Sequence, residues 1–201
     1  MHDLVHDLAT RLSRTESTML TSSEENIGEK VHHLSFDLKN SSRQLPIFMV
    51  KGMRIRTVLS ISVGIGMGKL TCDVLISNLN YLRTLDLSKL NLCAVPHLIG
   101  ELKHLRYLDL PRNINIEFLP NSIAKLLNLW VLKLCGCQSL KELPWAIKKL
   151  VNLRHLDITR CFELTHMPNR LGHLTSLEIL PWFVVRQEGF KASSCYWHKK
   201  K

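Results

Sequence analysis

Two histidines near the start of the chain have a spacing that suggests metal chemistry. The segment HDLVH places His2 and His6 four residues apart, on one face of a helix, and imitates the HExxH motif of zinc hydrolases. Asp3 stands where such an enzyme needs a glutamate as its general base, and the aspartate side chain is one methylene shorter. No third ligand is recognisable from the sequence. A zinc hydrolase that uses His2 and His6 is therefore the weakest of the functional hypotheses.

A glycine-rich segment, VGIGMGKL at residues 63–70, suggests a phosphate-binding loop. A Walker loop requires glycine at the first of these positions and serine or threonine at the last, where the sequence has Val63 and Leu70. The dinucleotide-binding fingerprint fails as well, because Lys69 occupies the place of its third glycine. We interpret the segment as a flexible loop inside an irregular repeat.

Cysteine usage and charge narrow the functional classes. The six cysteines form no CxxC pair, and no paired histidine motif completes a zinc site. The N-terminus lacks the basic and apolar run of a secretory signal, so we expect a cytoplasmic protein with reduced thiols. The formal net charge of +10 permits nonspecific contact with anions, but no nucleic-acid motif accompanies it. We expect no specific nucleic-acid partner, and the lack of about 18 consecutive apolar residues predicts no membrane span.

A strict internal repeat organises the middle of the chain. Pro96, Pro120, Pro144 and Pro168 lie 24 residues apart, and aliphatic residues recur at fixed offsets around each proline. Between the prolines the pattern LxxLxL recurs, and its Leu-x-Leu alternation is typical of a short strand with two inward side chains. A period of this length falls in the range of leucine-rich repeats. The sequence predicts an α/β solenoid with a parallel sheet on its concave face and short helices or irregular segments on its convex face.

One position in each repeat favours a small buried hydrogen-bond donor. It is occupied by Leu90, Asn113, Cys137 and Cys161 in successive repeats. Asn or Cys is usual at this position of a leucine-rich repeat, where the side chain bonds to neighbouring backbone. We therefore interpret Cys137 and Cys161 as structural rather than as redox or metal-binding residues.

The N-terminal segment adds a specific family resemblance. Apolar residues between positions 1 and 12 recur at helical spacing, which predicts an amphipathic helix. The segments MHDLVHDLA, VHHLSF, LRTLDLS, LKHLRYLDLP and LPNSIAKLLNLWVLKLCGC follow in order. Together they resemble plant intracellular nucleotide-binding leucine-rich-repeat immune receptors of the coiled-coil type, from their Met-His-Asp motif into the leucine-rich repeats. The resemblance covers nearly the whole chain.

This resemblance implies a domain organisation. Residues 1–20 would end the winged-helix part of the nucleotide-binding module, and residues 21–30 would be a linker. Residues 31–81 would form degenerate repeats and residues 82–185 regular ones. The basic tail, residues 186–201, leaves the family pattern, and we expect it to be disordered. We also expect the repeat array to break off without a polar cap, which would leave an exposed apolar face at the C-terminal end.

The resemblance also implies a role in plant defence. In the intact family, His2 would sense the β-phosphate of bound ADP or ATP, and Asp3 would hold the inactive state. The nucleotide-binding core would lie upstream of Met1, so we expect no cofactor in this chain and interpret it as a fragment. The implied partners are a pathogen effector, a host guardee protein or the receptor's own nucleotide-binding module. The implied activity is effector recognition and autoinhibition without catalysis.

Function in such a repeat resides in the side chains that flank the inward leucines. Three columns of the strand motif should face the concave surface and form a polar docking strip with aromatic anchors. The predicted interaction residues are Arg83, Asp86, Arg106, Tyr107, Asp109, Trp130, Lys133, Arg154, His155 and Asp157. An equally weighted alternative is a solvated, self-neutralising ladder, in which Lys133 sits between Asp109 and Asp157 and the arginines compensate the aspartates. A peptide-binding repeat domain of an extracellular receptor is the second functional hypothesis, although it needs a signal peptide and paired cap cysteines.

Overall fold

The main structural element of the protein is one continuous β-sheet. The computed structural model describes residues 16–20, 30–36, 54–61, 69–185 and 193–198. Within these residues, nine strands pair in sequence order. They are β1 (Ser17–Leu20), β2 (His33–Phe36), β3 (Thr57–Ser60), β4 (Thr84–Asp86), β5 (Tyr107–Asp109), β6 (Val131–Lys133), β7 (His155–Asp157), β8 (Ile179–Val185) and β9 (Ser193–His198). Strands β1 to β8 are parallel, and β9 is antiparallel to β8. The predicted leucine-rich-repeat solenoid is confirmed.

Short helices return the chain from one strand to the next. Helix α1 (Lys69–Ser77) connects β3 and β4, and 3₁₀ helices follow at His97–Glu101, Asn121–Lys125, Trp145–Lys149 and Leu171–His173. A proline precedes each of the first three 3₁₀ helices in extended conformation, with φ between −60° and −68°. The pyrrolidine ring fixes φ in that range, which explains why proline recurs at this point. Each of these helices ends where the N–H of a leucine bonds to the carbonyl of an isoleucine three residues earlier.

The leucine columns form the core. In β4 to β7 the middle residue is buried and its two neighbours are partly exposed. The middle residues, Leu85, Leu108, Leu132 and Leu156, lie in register and are fully buried. One repeat cannot enclose its own leucines, so stacking of neighbouring repeats supplies the burial. The same alternation turns the flanking polar residues to the solvent-exposed face of the sheet.

The donor column of the repeats is buried as predicted. Asn113 is fully buried, and its side-chain N–H groups donate to the carbonyls of Leu87 and Leu110, both at 2.8 Å. Cys137 donates from Sγ to the Leu110 carbonyl, and Cys161 to the Leu134 carbonyl, both at 3.3 Å. Burial raises the pKa of the Cys137 thiol to about 12, so this cysteine remains a neutral donor. The structural interpretation of Cys137 and Cys161 is confirmed.

Both ends of the array differ from the sequence-based boundaries. Ser17–Leu20, expected to end the winged-helix part over residues 1–20, instead forms the first strand of the sheet and pairs with β2. Ser193–His198, expected to be disordered within residues 186–201, forms β9 and pairs with β8. The edge of β8 is therefore covered rather than exposed. Repeat periodicity could not indicate this hairpin, because an antiparallel return strand has no counterpart in the other repeats.

Several predictions fall outside the described residues. The helix over residues 1–12 with His2, Asp3 and His6, most of the linker over residues 21–30, and most of the glycine-rich segment 63–70 lie there. Among the described helices, none is long and apolar enough to cross a bilayer.

Candidate binding surface

The exposed face of the sheet carries the predicted columns in the predicted register. One column consists of Thr84, Tyr107, Val131 and His155, and the next of Asp86, Asp109, Lys133 and Asp157. Each member is paired across a strand boundary with the corresponding residue of the adjacent repeat. The predicted interaction residues of these two columns therefore lie on one continuous surface.

A third column lies directly before the strands and is built mainly of arginines. Its members are Arg56, Arg83, Arg106, Trp130 and Arg154, and all are exposed. Each backbone N–H donates to the carbonyl of the preceding member at 2.8 Å, from Arg83 through Arg154. We call these five residues the arginine column. Arg56 was not among the predicted site residues, although the match between IRTVLSI and LRTLDLS could have identified it.

Trp130, the fourth of the five residues of the arginine column, contacts the arginines on either side of it. The guanidinium carbons of Arg106 and Arg154, from the two adjacent repeats, lie over its ring at 4.7 Å and 5.5 Å from the centroid. The indole is still 42% exposed. A guanidinium over an indole face is held by the ring quadrupole and keeps its N–H donors at its edges. Trp130 therefore positions two arginines while presenting an open aromatic surface.

The arginines do not compensate the aspartates. Among the described residues no carboxylate forms an ion pair with an arginine of the column, since the ion pairs there all join lysines to Glu101 or Glu117. Arg106, expected to offset Asp86 and Asp109, lies over Trp130 instead. Lys133 is opposite both Asp109 and Asp157 in the register but forms no described ion pair with either. The ladder is therefore found in part: among the described residues no arginine pairs with an aspartate, whereas Lys133 lies between Asp109 and Asp157, and its pKa is raised by the Tyr107 hydrogen bond and by the charges of both aspartates.

Two of the three aspartates stabilise the turns that follow their strands. Asp86 Oδ1 accepts a hydrogen bond from the N–H of Ser88 at 2.8 Å. Asp157 Oδ1 accepts from the N–H and the hydroxyl of Thr159, at 3.0 Å and 2.7 Å. In both cases the donor N–H belongs to the residue two positions later. The main role of these carboxylates is to accept hydrogen bonds within the turns, rather than to present negative charge at the surface.

Asp109 lacks that turn donor because the residue two positions later is Pro111, which has no N–H. Its Oδ1 is buried without a hydrogen-bond partner, and its Oδ2 accepts from the Tyr107 hydroxyl at 3.0 Å. Burial raises the pKa of Asp109, and the negative charge of Asp86 raises it further, whereas the Tyr107 hydrogen bond opposes the shift. The Nζ of Lys133 lies 5.2 Å from the Tyr107 ring centroid. Tyr107, predicted as an aromatic anchor, is thus part of a polar cluster.

His155 lies in the same column of the exposed face as Tyr107 and Val131. Its Nε2 is buried without a hydrogen-bond partner, and burial lowers the pKa of the imidazole. Neither His155 nor Asp109 belongs to a metal-binding group, since the described residues contain no cluster of three His, Cys, Asp or Glu side chains arranged to hold an ion. Cys72, Cys93, Cys135, Cys137 and Cys161 are free thiols. The surface is equipped for binding through charge, hydrogen bonds and one open indole.

A second surface feature lies beside the Leu-Pro turns. A depression of about 410 Å³ is lined by Phe118, Trp145 and the prolines of two repeats, and one of about 440 Å³ adjoins it at Phe118. Lysines lie over both aromatic rings: Lys141 over Phe118, and Lys148 and Lys149 over Trp145. Glu142 also lines the first depression. Its mixed charge favours no single class of ligand.

Comparison with known proteins adds sequence and structural relatives. Residues 57–193 match the family model described as leucine-rich repeat region. A candidate disease resistance protein of Arabidopsis thaliana is 33% identical over 147 residues, which are 69% of this chain but 10% of that protein.

Solved structures show the same architecture. The leucine-rich repeat domain of the type III effector XopL has a TM-score of 0.62 at 20% identity, over 87% of this chain and 71% of that one. A leucine-rich repeat protein of Leptospira interrogans has a TM-score of 0.57 at 21% identity, over 86% of this chain and 50% of that one. The plant peptide hormone receptor RGFR1 in complex with RGF2 has a TM-score of 0.56 at 21% identity, over 82% and 29%. At these identities the likeness concerns the fold alone.

Proposed function

Since the chain belongs to the leucine-rich repeat family, we propose that it is the protein-interaction module of a plant intracellular immune receptor. In this role it acts in the cytoplasm during the defence response, by binding and without catalysis. Its partners are a pathogen effector, a host guardee protein or the receptor's own nucleotide-binding module. The relative from Arabidopsis is named as a disease resistance protein, which supports the assignment to plant defence. The matched region is a tenth of that protein's length.

The observation that carries the proposal is the arginine column. Isolated exposed arginines are common, but here four arginines and a tryptophan occupy one position of five successive strands. Trp and Arg are the residue types most enriched at the energetic centres of protein interfaces. Two of the arginines are already held in place over Trp130, which lowers the side-chain entropy lost on binding.

The same surface supports both recognition and autoinhibition. A partner that docks on it within the receptor would restrain the nucleotide-binding module, and an effector that competes for the surface would release the restraint. Such a switch requires only that the two partners bind differentially to the resting and active states. Nucleotide chemistry would belong to His2, Asp3 and an ADP- or ATP-binding core elsewhere in the receptor.

A full-length receptor that carries this segment tests the proposal. The triple substitution Arg83→Glu, Arg106→Glu and Arg154→Glu reverses three charges of the column. We expect it to raise nucleotide exchange and cell-death signalling in the absence of an effector, or to abolish the response to the effector. Wild-type levels of exchange, of resting cell death and of effector response would remove the support for the proposal.

A matched control uses Arg112→Glu, Arg160→Glu and Arg170→Glu. These arginines are also exposed, and none of them belongs to the arginine column. Their substitution changes the net charge by the same amount as the test variant does. We expect receptor behaviour close to wild type for this control. If the two triple variants behave alike, net charge rather than the surface is responsible.

A further inference from the structure

We propose that the arginine column binds an acidic α-helix, whose carboxylates lie on one face and run across the strands along the solenoid axis. This inference rests on the proposed interaction role and adds the chemistry of the partner. The column extends from Arg56 before β3 to Arg154 before β7. It includes a degenerate repeat that the sequence-based site did not cover.

The charge of the column is available to a partner. Its four arginines are exposed, and no described carboxylate lies within 4.0 Å of their guanidinium nitrogens. An unpaired guanidinium prefers a carboxylate in a bidentate arrangement, with two parallel N–H donors. Lys103, Lys125 and Lys141 are less available to a partner, because each is already paired with a glutamate. With respect to the described residues, the column is thus a row of unpaired and geometrically selective carboxylate receptors.

Trp130 restrains two of the four arginines of this row. Arg106 and Arg154 lie over the indole, so their guanidinium groups are restrained before a partner arrives. Neither group forms an ion pair with a carboxylate of the described residues. The exposed part of the indole offers an apolar contact between two cationic positions. A helix that carries one apolar residue among its glutamates or aspartates would match this order of charges.

Spacing favours a helix over an extended segment. Adjacent strands lie about 4.8 Å apart, so the five positions of the column span about 19 Å. Successive turns of a helix place side chains about 5.4 Å apart on one face, and about 13 residues cover the same length. An extended segment repeats on one face about every 6.6 Å and loses register with the column within a few positions. Long arginine side chains can absorb the smaller mismatch of the helix.

Neighbouring acidic residues confine the partner to the N-terminal ends of the strands, where the arginine column lies. Asp86, Asp109 and Asp157 occupy the far end of the same strands and repel an acidic segment there. The column itself is continued after Arg154 by Glu178, whose N–H donates to the Arg154 carbonyl at 2.8 Å. A carboxylate series on the partner should therefore end at Arg154 and give way to a neutral or basic residue opposite Glu178.

Direct binding to the full chain tests the inference. The probe is a fluorescein-labelled, alanine-based peptide of about 16 residues with four glutamates at i, i+4, i+7 and i+14 and one leucine at i+11, all on one helical face. The control peptide has the same composition, with its glutamates distributed around the helix. Fluorescence anisotropy at low ionic strength measures both affinities. We expect the one-faced peptide to bind at least roughly tenfold more tightly, with affinity that falls as salt is added.

Variants locate the site. Arg83→Glu, Arg106→Glu and Arg154→Glu together should weaken binding of the one-faced peptide by roughly tenfold or more. The control triple at Arg112, Arg160 and Arg170, which are exposed arginines with left-handed backbone, should stay within about twofold of wild type. Circular dichroism verifies that both variants are folded. A second test variant, Trp130→Ala, should weaken binding with no change in net charge.

Three results overturn the inference. The two peptides could bind equally well, the control triple could lose as much affinity as the test triple, or another polyanion could win. For the last, a DNA duplex and vesicles that contain phosphatidylserine are titrated in parallel, and tighter binding of either through the same arginines contradicts an acidic helix. Because this assay uses a defined peptide and the chain alone, its failure leaves the proposed function to the receptor assay.

Discussion

The side-chain oxygen of Asn113 accepts a hydrogen bond from the backbone N–H of Leu92, one repeat earlier, at 3.0 Å. The Asn113 amide also donates to backbone carbonyls of its own and the preceding repeat. One fully buried side chain therefore satisfies three backbone groups that lie away from water. The preceding repeat has Leu90 at this position, and the two following repeats have cysteine, whose thiol is only a weak donor, so Asn113 concentrates this stabilisation in one repeat.

We predict that Asn113→Ala lowers the free energy of unfolding by about 3 kcal/mol, since it leaves buried donors and acceptors unpaired. Asn115→Ala is the matched control, because Asn115 is exposed and bonds only to the exposed Asn91 side chain at 2.7 Å. That control should cost under about 0.5 kcal/mol. Urea unfolding followed by circular dichroism measures both, and equal losses would show that the amide network of Asn113 is not special.

Asp109 is predicted to destabilise the protein at neutral pH. Burial raises its pKa, so the folded state disfavours the carboxylate relative to the unfolded state. Asp109→Asn should therefore raise the free energy of unfolding at pH 7 by about 0.5–1 kcal/mol, a modest gain for a partly exposed charge. The penalty in the wild type is complete above the raised pKa and vanishes below the ordinary value of 3.8. The difference between variant and wild type should accordingly shrink as the pH falls toward 3.8.

The pH dependence distinguishes charge from shape. A stabilisation by Asp109→Asn that persists unchanged at acid pH would point to packing. A loss of stability at pH 7 would show that the carboxylate is favourable in the fold. Pro111→Ala provides an independent check, because it restores an N–H two positions after Asp109 and should lower the pKa of the carboxyl. Titration followed by the chemical shift of the Asp109 carboxyl carbon measures that change.

Gly100 is predicted to be irreplaceable at the contact between two 3₁₀ helices. A Cβ at this position would lie 2.5 Å from the Ser122 carbonyl oxygen and 2.9 Å from the Ser122 Cβ. Gly100→Ala must therefore separate two adjacent repeats, at a cost of about 1–3 kcal/mol. Gly172→Ala is the control, since nothing lies within 4 Å of a Cβ there. Thermal unfolding should show a lower midpoint for the first variant and an unchanged or higher midpoint for the second.

The sequence predicted the sheet and its exposed columns well, for a physical reason. A period of two residues in each strand and of 24 in the chain leaves one register that buries every leucine column. Thr84, Tyr107, Val131 and His155 consequently lie side by side as expected. Register follows from backbone and burial, both of which a repeat encodes.

Side-chain partners were less predictable. Arg106 was expected to offset aspartates and instead lies over Trp130, because three side chains before adjacent strands compete locally for the same space. The unpaired Oδ1 of Asp109 depends on Pro111, a single departure from the turn that Asp86 and Asp157 make. Arg56 was overlooked because the leucine pattern around it is irregular. Its carbonyl nevertheless accepts the Arg83 N–H and so continues the series of backbone hydrogen bonds along the column. Such features arise from departures from the repeat, to which a periodic pattern gives no guide.

Strand β9 is predicted to protect the last parallel strand from self-association. Five residue pairs join it to β8, among them Phe183 with Cys195 and Val184 with Ser194. An unpaired strand edge is a template for another chain, and β8 contains the apolar run Trp182, Phe183 and Val184.

A chain that ends at residue 186 should therefore form concentration-dependent oligomers, detected by size-exclusion chromatography with light scattering. The full chain should show less association at equal concentration. Adding Ile179→Lys to the shortened chain should suppress the oligomers, because Ile179 is exposed on β8 and a charged side chain on an edge strand opposes pairing. A shortened chain that is folded and monomeric at every concentration would show that β9 has no protective role.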